Sequence, residues 1–330
     1  MSILVTGSAG FIGNAVTTKL LELGNDVIGI DNFYHSYDPK IKIDKIEALK
    51  EKFNNFTFYQ TDASNHKDLK TMFDKHPKID TIFHLVGPMP HIHSFDIPQE
   101  YENINITTTI NLLDIIKDKN IKKLIYSSAA TVYGETKKYP FIETHHFTKP
   151  TNPYSISKLA AENYLEAYSN YYAIPTVTFR IFAAYGPGMS PNSGMYNFID
   201  QALNKSEVKN VHSNTLRDFI YIDDIVKAMI SAINKRLGYQ MINLGTGTSY
   251  SNIDVINIIA KIEKKEVKIQ KTKATNEFDI VKQQANMNKA KKMLGFIPST
   301  NLETGLFNTI EWYKKKNNLN SCLLSVQLKN

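Results

Sequence analysis

Tyr154 and Lys158, in the run YSISK, stand four residues apart, so on a helix both side chains project from one face. Such a pair can move a proton. A phenol ionises near pH 10, and bringing that down to about 7 takes about 4 kcal/mol of preferential stabilisation of the phenolate. A neighbouring ammonium supplies part of it, because positive charge favours the ionised phenol. The spacing alone is common in helices, so its meaning depends on what the rest of the chain sets beside it.

Residues 3–13 read ILVTGSAGFIG, a strand followed by Gly7, Gly10 and Gly13 and then by a helix. Glycine at this spacing serves a tight turn, a backbone that approaches a pyrophosphate, and a helix packed closely on a strand. The helix start at Phe11 and Ile12 then offers free N–H groups and a partial positive charge to phosphate. A second apolar strand ends at Ile30 and is followed directly by Asp31. A carboxylate there accepts both adenosine ribose hydroxyls and repels a 2′-phosphate, so the expected cofactor is NAD rather than NADP. Asn32, Asp62, Ala63 and Leu85, at or just past the ends of the second, third and fourth strands, complete the expected cofactor set. Asp62 is placed to reach the adenine edge, or else to cap the helix that follows. A cationic nicotinamide beside Tyr154 favours the phenolate further, and Lys158 can also bind the nicotinamide ribose.

The elements that carry these residues follow from periodicity. Short apolar runs predict strands at 2–6, 26–30, 56–60, 79–84, 121–127 and 175–180, alternating with helical stretches. Ile12, Val16, Leu20 and Leu23 define one helix face, Ile104, Thr108, Leu112 and Ile115 a second, and Ala160, Tyr164, Ala167 and Tyr171 a third. The fold class expected is α/β, a doubly wound parallel Rossmann sheet with a smaller α/β substrate domain. Residues 1–180 form the NAD-binding domain, with part of 218–248 returning to it, and 181–330 form the substrate domain. The boundary is read from the aperiodic loop of Gly186, Pro187, Gly188, Pro191 and Gly194.

Composition narrows the function classes. The chain has 330 residues, 42% hydrophobic and 22% charged, in the ordinary globular range. Its formal charge of +7 is scattered rather than clustered, which suits anionic small molecules and gives no nucleic-acid footprint. Cys322 is the single cysteine, so no intramolecular disulfide forms, and no metal-ligand pattern lies near it. No apolar run is long enough for a membrane span, and the first strand follows Met1 at once, so a cytoplasmic protein is expected.

The segments GSAGFIG, GIDNFY, TIFHLVG, SSAATVYG, YSISK, YGPG, RDFIYIDD, NLGTG and LGFIP occur in that order along nearly the whole chain. In this respect the sequence resembles the extended short-chain dehydrogenase/reductase family, and within it the NAD-dependent epimerases and dehydratases of nucleotide sugars. The wording of GIDNFYHSYDP and of KYPFIETHHFTKPTNPYSISK is closest to UDP-glucuronate 4-epimerases. The resemblance implies that Tyr154 removes and returns a sugar hydroxyl proton and that Lys158 tunes it. It also implies oxidation at C4, rotation of the keto sugar, and return of the hydride to the other face. Arg217, in RDF, matches an arginine that pairs with the nucleotide diphosphate, a role suited to its planar fork. His91 lies in the loop expected to face the sugar, and Asn192 in the segment after YGP; both are candidate substrate contacts. A homodimer through the helices around 100–117 and 153–172 is also implied.

Two positions depart from the family pattern. Four residues before Tyr133, where relatives carry the Ser or Thr that bridges sugar and tyrosine, stands Ala129, leaving Ser128 and Thr131 as the nearby hydroxyls. Relatives carry Asn or Thr at the position of Ala183, and glucuronate epimerases follow YGP with an arginine that GMSPNSGM lacks. A neutral, amino or deoxy sugar is therefore at least as well matched as a glucuronate. Ala130 and Thr131 replace the Asp-Glu of the dehydratase branch, which argues against water elimination. His145 and His146, adjacent in sequence, read as loop polarity. Two other functions use the same residues: an NAD(P)H-dependent reductase of a 4-keto nucleotide sugar, and a non-catalytic NAD(H)-binding sensor.

The ribose assignment has a direct check. Asp31→Ala is expected to weaken NAD binding and to narrow the gap between NAD and NADP, as calorimetric titration of both would read; unchanged affinities refute it.

Overall fold

The fold is that of a computed structural model, which describes residues 1–88, 91–134, 136, 138–144, 150–205, 207–212, 214–272 and 281–318. Its first part alternates β1 (Ser2–Thr6), α1 (Phe11–Glu22), β2 (Asp26–Asp31), α2 (Pro39–Lys52), β3 (Phe56–Gln60), α3 (His66–Lys75) and β4 (Ile79–His84). Helix α4 (Pro98–Glu102) then runs through a π turn (Asn103–Thr107) into α5 (Thr108–Ile116), followed by β5 (Lys123–Ala129), α6 (Pro153–Tyr172) and β6 (Thr176–Ile181). The second part comprises β7 (Ala183–Tyr185), α7 (Gly194–Asn204), β8 (Glu207–His212), β9 (Leu216–Tyr221), α8 (Ile222–Ser231), β10 (Gln240–Leu244), β11 (Ser249–Ser251), α9 (Asn252–Glu263), β12 (Lys268–Thr272), α10 (Asn288–Leu294) and α11 (Leu302–Lys316).

Seven strands pair in the order β10-β6-β5-β4-β1-β2-β3, every pair parallel. Both faces of such a sheet are covered, which is why its strands read as near-continuous apolar runs. Ile3, Val5, Val27, Phe83, Ile125 and Val177 point to one side, where α1 and α8 pack. Leu4, Ile28, Ile82, Leu124 and Tyr126 point to the other, toward α3, α5 and α6. Outside this layer, β11-β9-β7 form a small sheet and β12-β8 a two-stranded one.

Strand positions agree with the periodicity to within two residues, the largest difference being β5, which starts at Lys123. The helix faces agree less well. Leu23 is the C-cap of α1 and 55% exposed, because Gly24, with positive φ, ends the helix before that residue can turn inward. Thr108 and Leu112 are buried as expected; the π turn at Asn103–Thr107 adds a residue to the helical repeat ahead of them and puts Asn105 inward in place of Ile104, and beyond Leu112 the buried residues are Leu113 and Ile116, with Ile115 half-buried beside them. On α6 the expected apolar face is turned outward, with Tyr164 41% and Tyr171 82% exposed. The inward face carries Tyr154, Ser157, Lys158, Glu162 and Leu165, polar residues that hide it from a search for apolar spacing.

Strand β9 is fixed by one carboxylate. Asp218 is wholly buried and accepts from Thr246 N and Oγ1 (both 2.7 Å), Gly247 N (2.9 Å) and Ala285 N (3.0 Å). Asp218→Ala leaves those donors buried without an acceptor and is expected to cost about 3 kcal/mol or more in urea unfolding. Asp223→Ala, at an exposed position in the first turn of α8, is expected to cost under about 1 kcal/mol, and equal losses would contradict the assignment.

Candidate active site

In the β1-to-α1 turn Gly7 has φ +72°, and its N–H donates to Ile30 O of β2 at 2.8 Å. A Cβ on Gly13 would stand 2.0 Å from Gly7 O, so the helix can sit this close to the turn only without a side chain there. Gly10 caps α1 with no side-chain acceptor, and the first N–H groups of the helix remain directed at the turn. Asp31, at the end of β2, accepts from Phe33 N (2.8 Å) and Ala9 N (3.2 Å), which aims the carboxylate across the same turn. Burial pushes its pKa up, and Lys42 and the two backbone N–H groups oppose that.

Gly7, Gly10, Asp31, Asn32, Asp62, Ala63 and Leu85 all line one cavity at the carboxyl ends of β1, β2 and β4. Asp62 caps no helix: it accepts from Ser64 N (2.8 Å) and from Asn32 Nδ2 (3.1 Å), while Asn65 caps α3. The cradle, the free helix start and the carboxylate fit a dinucleotide with an unmodified adenosine ribose. The same cavity is lined by Tyr34, Ser36 and Lys42, which sequence reading did not single out. Tyr34 and Ser36 sit in the connection between β2 and α2, which has no periodicity, and Lys42 is a buried lysine in the first turns of α2, where an apolar residue would be looked for. Tyr34 donates to Glu100 of α4, and Lys42 Nζ donates to Tyr34 O at 2.6 Å.

Helix α6 begins where Asn152 Oδ1 accepts from Ser155 N at 2.9 Å and Pro153 takes the first helical position. Its first turns bring Tyr154 (8% exposed) and Lys158 (3% exposed) onto its buried face. Lys158 Nζ donates to Ser127 O (3.0 Å) and Val86 O (3.4 Å) and lies 4.9 Å over the Tyr126 ring. Val86 lines the cofactor cavity, so the lysine reaches its edge. Tyr101 of α4 packs edge-on against Tyr154 at 6.0 Å. Burial raises the Tyr154 phenol and lowers Lys158 to about 7. The protein alone therefore keeps the phenol protonated, and its use as a base requires additional positive charge beside it.

The π turn places Asn105 in this site, another residue the sequence reading missed because the extra residue breaks the helical phase. Its Nδ2 donates to Ser157 Oγ at 2.9 Å, and both its Oδ1 and Lys158 Nζ border Gly87.

Ser128 and Thr131 are placed at the end of β5 and in the short 3-10 turn Ala130–Tyr133. Both hydroxyls are buried, with no hydrogen-bond partner among the described residues. Ala129 stands between them, half-buried. Arg217 Nη1 donates to Leu216 O at 3.2 Å, and the oxygens of Asp218 are taken up elsewhere, on the opposite face of β9. Asn192 Nδ2 donates to Ser36 O at 2.6 Å, so the structure sets it against the cofactor-side connection. Lys45 Nζ makes a parallel tie to Gly188 O at 2.9 Å. His91 belongs to the 3-10 turn His91–Phe95, and its side chain lies outside the described part, as do His145 and His146. Among the described residues no group of His, Cys, Asp or Glu could hold a metal ion, and no helix is long and apolar enough to cross a membrane.

Comparison with known proteins agrees with this geometry. A UDP-glucuronate 4-epimerase of Thermodesulfobacterium geofontis is 36% identical over 314 residues, covering 94% of this chain and 96% of the relative. The crystal structure of a UDP-glucuronic acid 4-epimerase from Bacillus cereus, in complex with UDP-glucuronic acid and NAD, superposes with a TM-score of 0.88 at 30% identity, covering 96% of this chain and 100% of that one. A UDP-glucose 4-epimerase from Thermotoga maritima, with UDP-glucose, gives 0.86 at 30% identity and the same coverage. The model of the NAD dependent epimerase/dehydratase family matches residues 3–245, which hold the glycine turn, Asp31, Tyr154 and Lys158, and the chain belongs to that family.

Proposed function

We propose that this protein is an NAD-dependent epimerase that inverts C4 of a nucleoside-diphosphate sugar, with Tyr154 and Lys158 at the reacting carbon. The observation that carries this reading is that Tyr154 and Lys158 share the buried face of α6 and that Lys158 Nζ donates to the carbonyl of Val86, a residue lining the cavity that Asp31 and the glycine turn define. NAD bound there supplies a hydride acceptor and donor at its nicotinamide C4. Tyr154 takes the proton of the sugar hydroxyl as C4 is oxidised and gives it back when C4 is reduced. Lys158 holds positive charge beside the phenol and donates toward the nicotinamide ribose, exchanging the carbonyls of Ser127 and Val86 for it. Arg217, from the second part of the chain, pairs with the diphosphate, leaving the sugar free to turn.

The sugar favoured is a neutral, amino or deoxy hexose. Ala129 and Ala183 place no hydroxyl or amide on the substrate side, and the segment after Tyr185 reads GPGMSPN without an arginine for a carboxylate. A reductase of a 4-keto nucleotide sugar is the second reading, favoured by Ala129, since a one-way reduction depends less on a hydroxyl that must serve proton transfer in both directions. An exposed stripe on α6, with Ile156, Tyr164, Tyr171 and Tyr172, supports a homodimer through that helix. A single cysteine fits a reducing compartment, the cytoplasm.

Incubation of the purified protein with UDP-glucose, UDP-N-acetylglucosamine and UDP-glucuronate, read by chromatography, is expected to interconvert one of the first two with no added reductant. Consumption of NADH or NADPH in step with product would favour the reductase. Tyr154→Phe is expected to lower kcat by about 100- to 10,000-fold with NAD still bound, and full activity would refute the role of Tyr154 in proton transfer. Ala129→Ser restores a bridging hydroxyl and is expected to raise kcat by roughly 10- to 200-fold; no gain would place the working hydroxyl at Ser128 or Thr131 instead.

A further inference from the structure

Beyond Lys158 the inward face of α6 continues, one turn on, with Glu162, which is wholly buried. Arg180 of β6, 2% exposed, grips its carboxylate through two nitrogens: Nε at 3.0 Å and 3.3 Å from the two oxygens, and Nη2 at 2.7 Å. The guanidinium also lies over the Tyr133 ring, 4.5 Å from its centroid, and Tyr133 in turn donates to Asn243 Oδ1 at 2.7 Å. A buried ion pair of this kind is not needed to dock a helix, since apolar residues of similar volume commonly do so as well or better. Its place beneath a reactive lysine therefore calls for an electrical explanation.

We propose that Glu162 is the counter-charge of the reactive lysine: a positioning residue that, oriented by Arg180, holds Lys158 in its ammonium form. The inference rests on the assignment of Lys158 made above. Helical spacing sets the carboxylate one turn from the ammonium on the same buried face. The pair acts as an oriented dipole whose negative end is felt by the lysine and whose positive end is felt by Tyr133. Burial drives Lys158 down to about 7, and Glu162 is the influence opposing that. The other groups around the lysine do not replace it. From β4, His84 is held neutral by burial, down to about 3, with its ring between Thr6 Oγ1 and Thr109 Oγ1. From β5, burial keeps the Tyr126 phenol protonated; Tyr154 of α6 and Tyr101 of α4 are likewise raised. Arg180 of β6 is cationic. Of these groups Glu162 alone carries negative charge.

A lysine that loses its counter-charge gives up its proton at lower pH. In Glu162→Gln, and in the double variant Glu162→Met/Arg180→Met, the ionisation midpoint of Lys158 is expected to fall by about one pH unit. It is read on the full-length protein by competitive acetylation with acetic anhydride across pH 5.5–10, followed by mass spectrometry of the Lys158 peptide. The alkaline limb of kcat/KM for the holoenzyme is expected to move down with it. The double variant keeps α6 docked without any charge, so a helix-docking role alone predicts a wild-type midpoint in it. A wild-type midpoint in either variant that unfolds cooperatively overturns the proposal. A lowered midpoint with an unmoved pH–rate profile upholds the counter-charge and refutes the catalytic assignment of Lys158.

Discussion

Because β1 pairs with β2 on one side and β4 on the other, the connections leaving β1 and β4 diverge to opposite faces of the sheet and open a crevice at its carboxyl edge. Every other feature of the site answers to that split. The glycine turn must bend sharply out of β1 to start α1 at the crevice, and Gly7 and Gly13 meet that demand with a positive φ and a contact no side chain survives. Asp31 stands at the rim because β2 is the neighbour of β1. Tyr154 and Lys158 arrive from the other side because β5, two places away, brings α6 over the β4 connection. The glycine turn with Asp31 and the pair Tyr154 and Lys158 are thus built from opposite flanks of one topological break.

The parts of this arrangement that depend on sequence-local physics were legible before any coordinates. Strands buried on both faces announce themselves as short apolar runs, and the turn chemistry of Gly7, Gly10 and Gly13 leaves a fixed spacing. Helix faces were less legible, for reasons visible in particular residues. Lys158 and Glu162 are polar and buried together, so an apolar count assigns the inside of α6 to Tyr164 and Tyr171, which face outward. The π turn shifts the phase of its helix by one residue, and with it the identity of the residue, Asn105, that meets Ser157. Tyr34 and Ser36 lie in a connection whose path is set by tertiary contacts, such as Tyr34 with Glu100, and no periodicity points to them; Lys42, on the buried face of α2, is a polar residue that an apolar count passes over.

The site's polarity is uneven. On the cofactor side both carboxylates have protein partners, Asp31 with two N–H donors and Asp62 with Ser64 and Asn32. Near the end of β5 the balance reverses, with Ser128 and Thr131 Oγ atoms buried and unmatched among the described residues and two alanines where a hydroxyl or amide is the family habit.

The ties from Asn192 to Ser36 O and from Lys45 to Gly188 O join the second part of the chain to the connection that follows Asp31 and to α2. Ser36 lines the cofactor cavity, so the first of these ties fastens part of its wall to the second part of the chain. A reaction that ends with its cofactor in the oxidation state in which it began needs no exchange of that cofactor between turnovers, and a fastened wall is compatible with it.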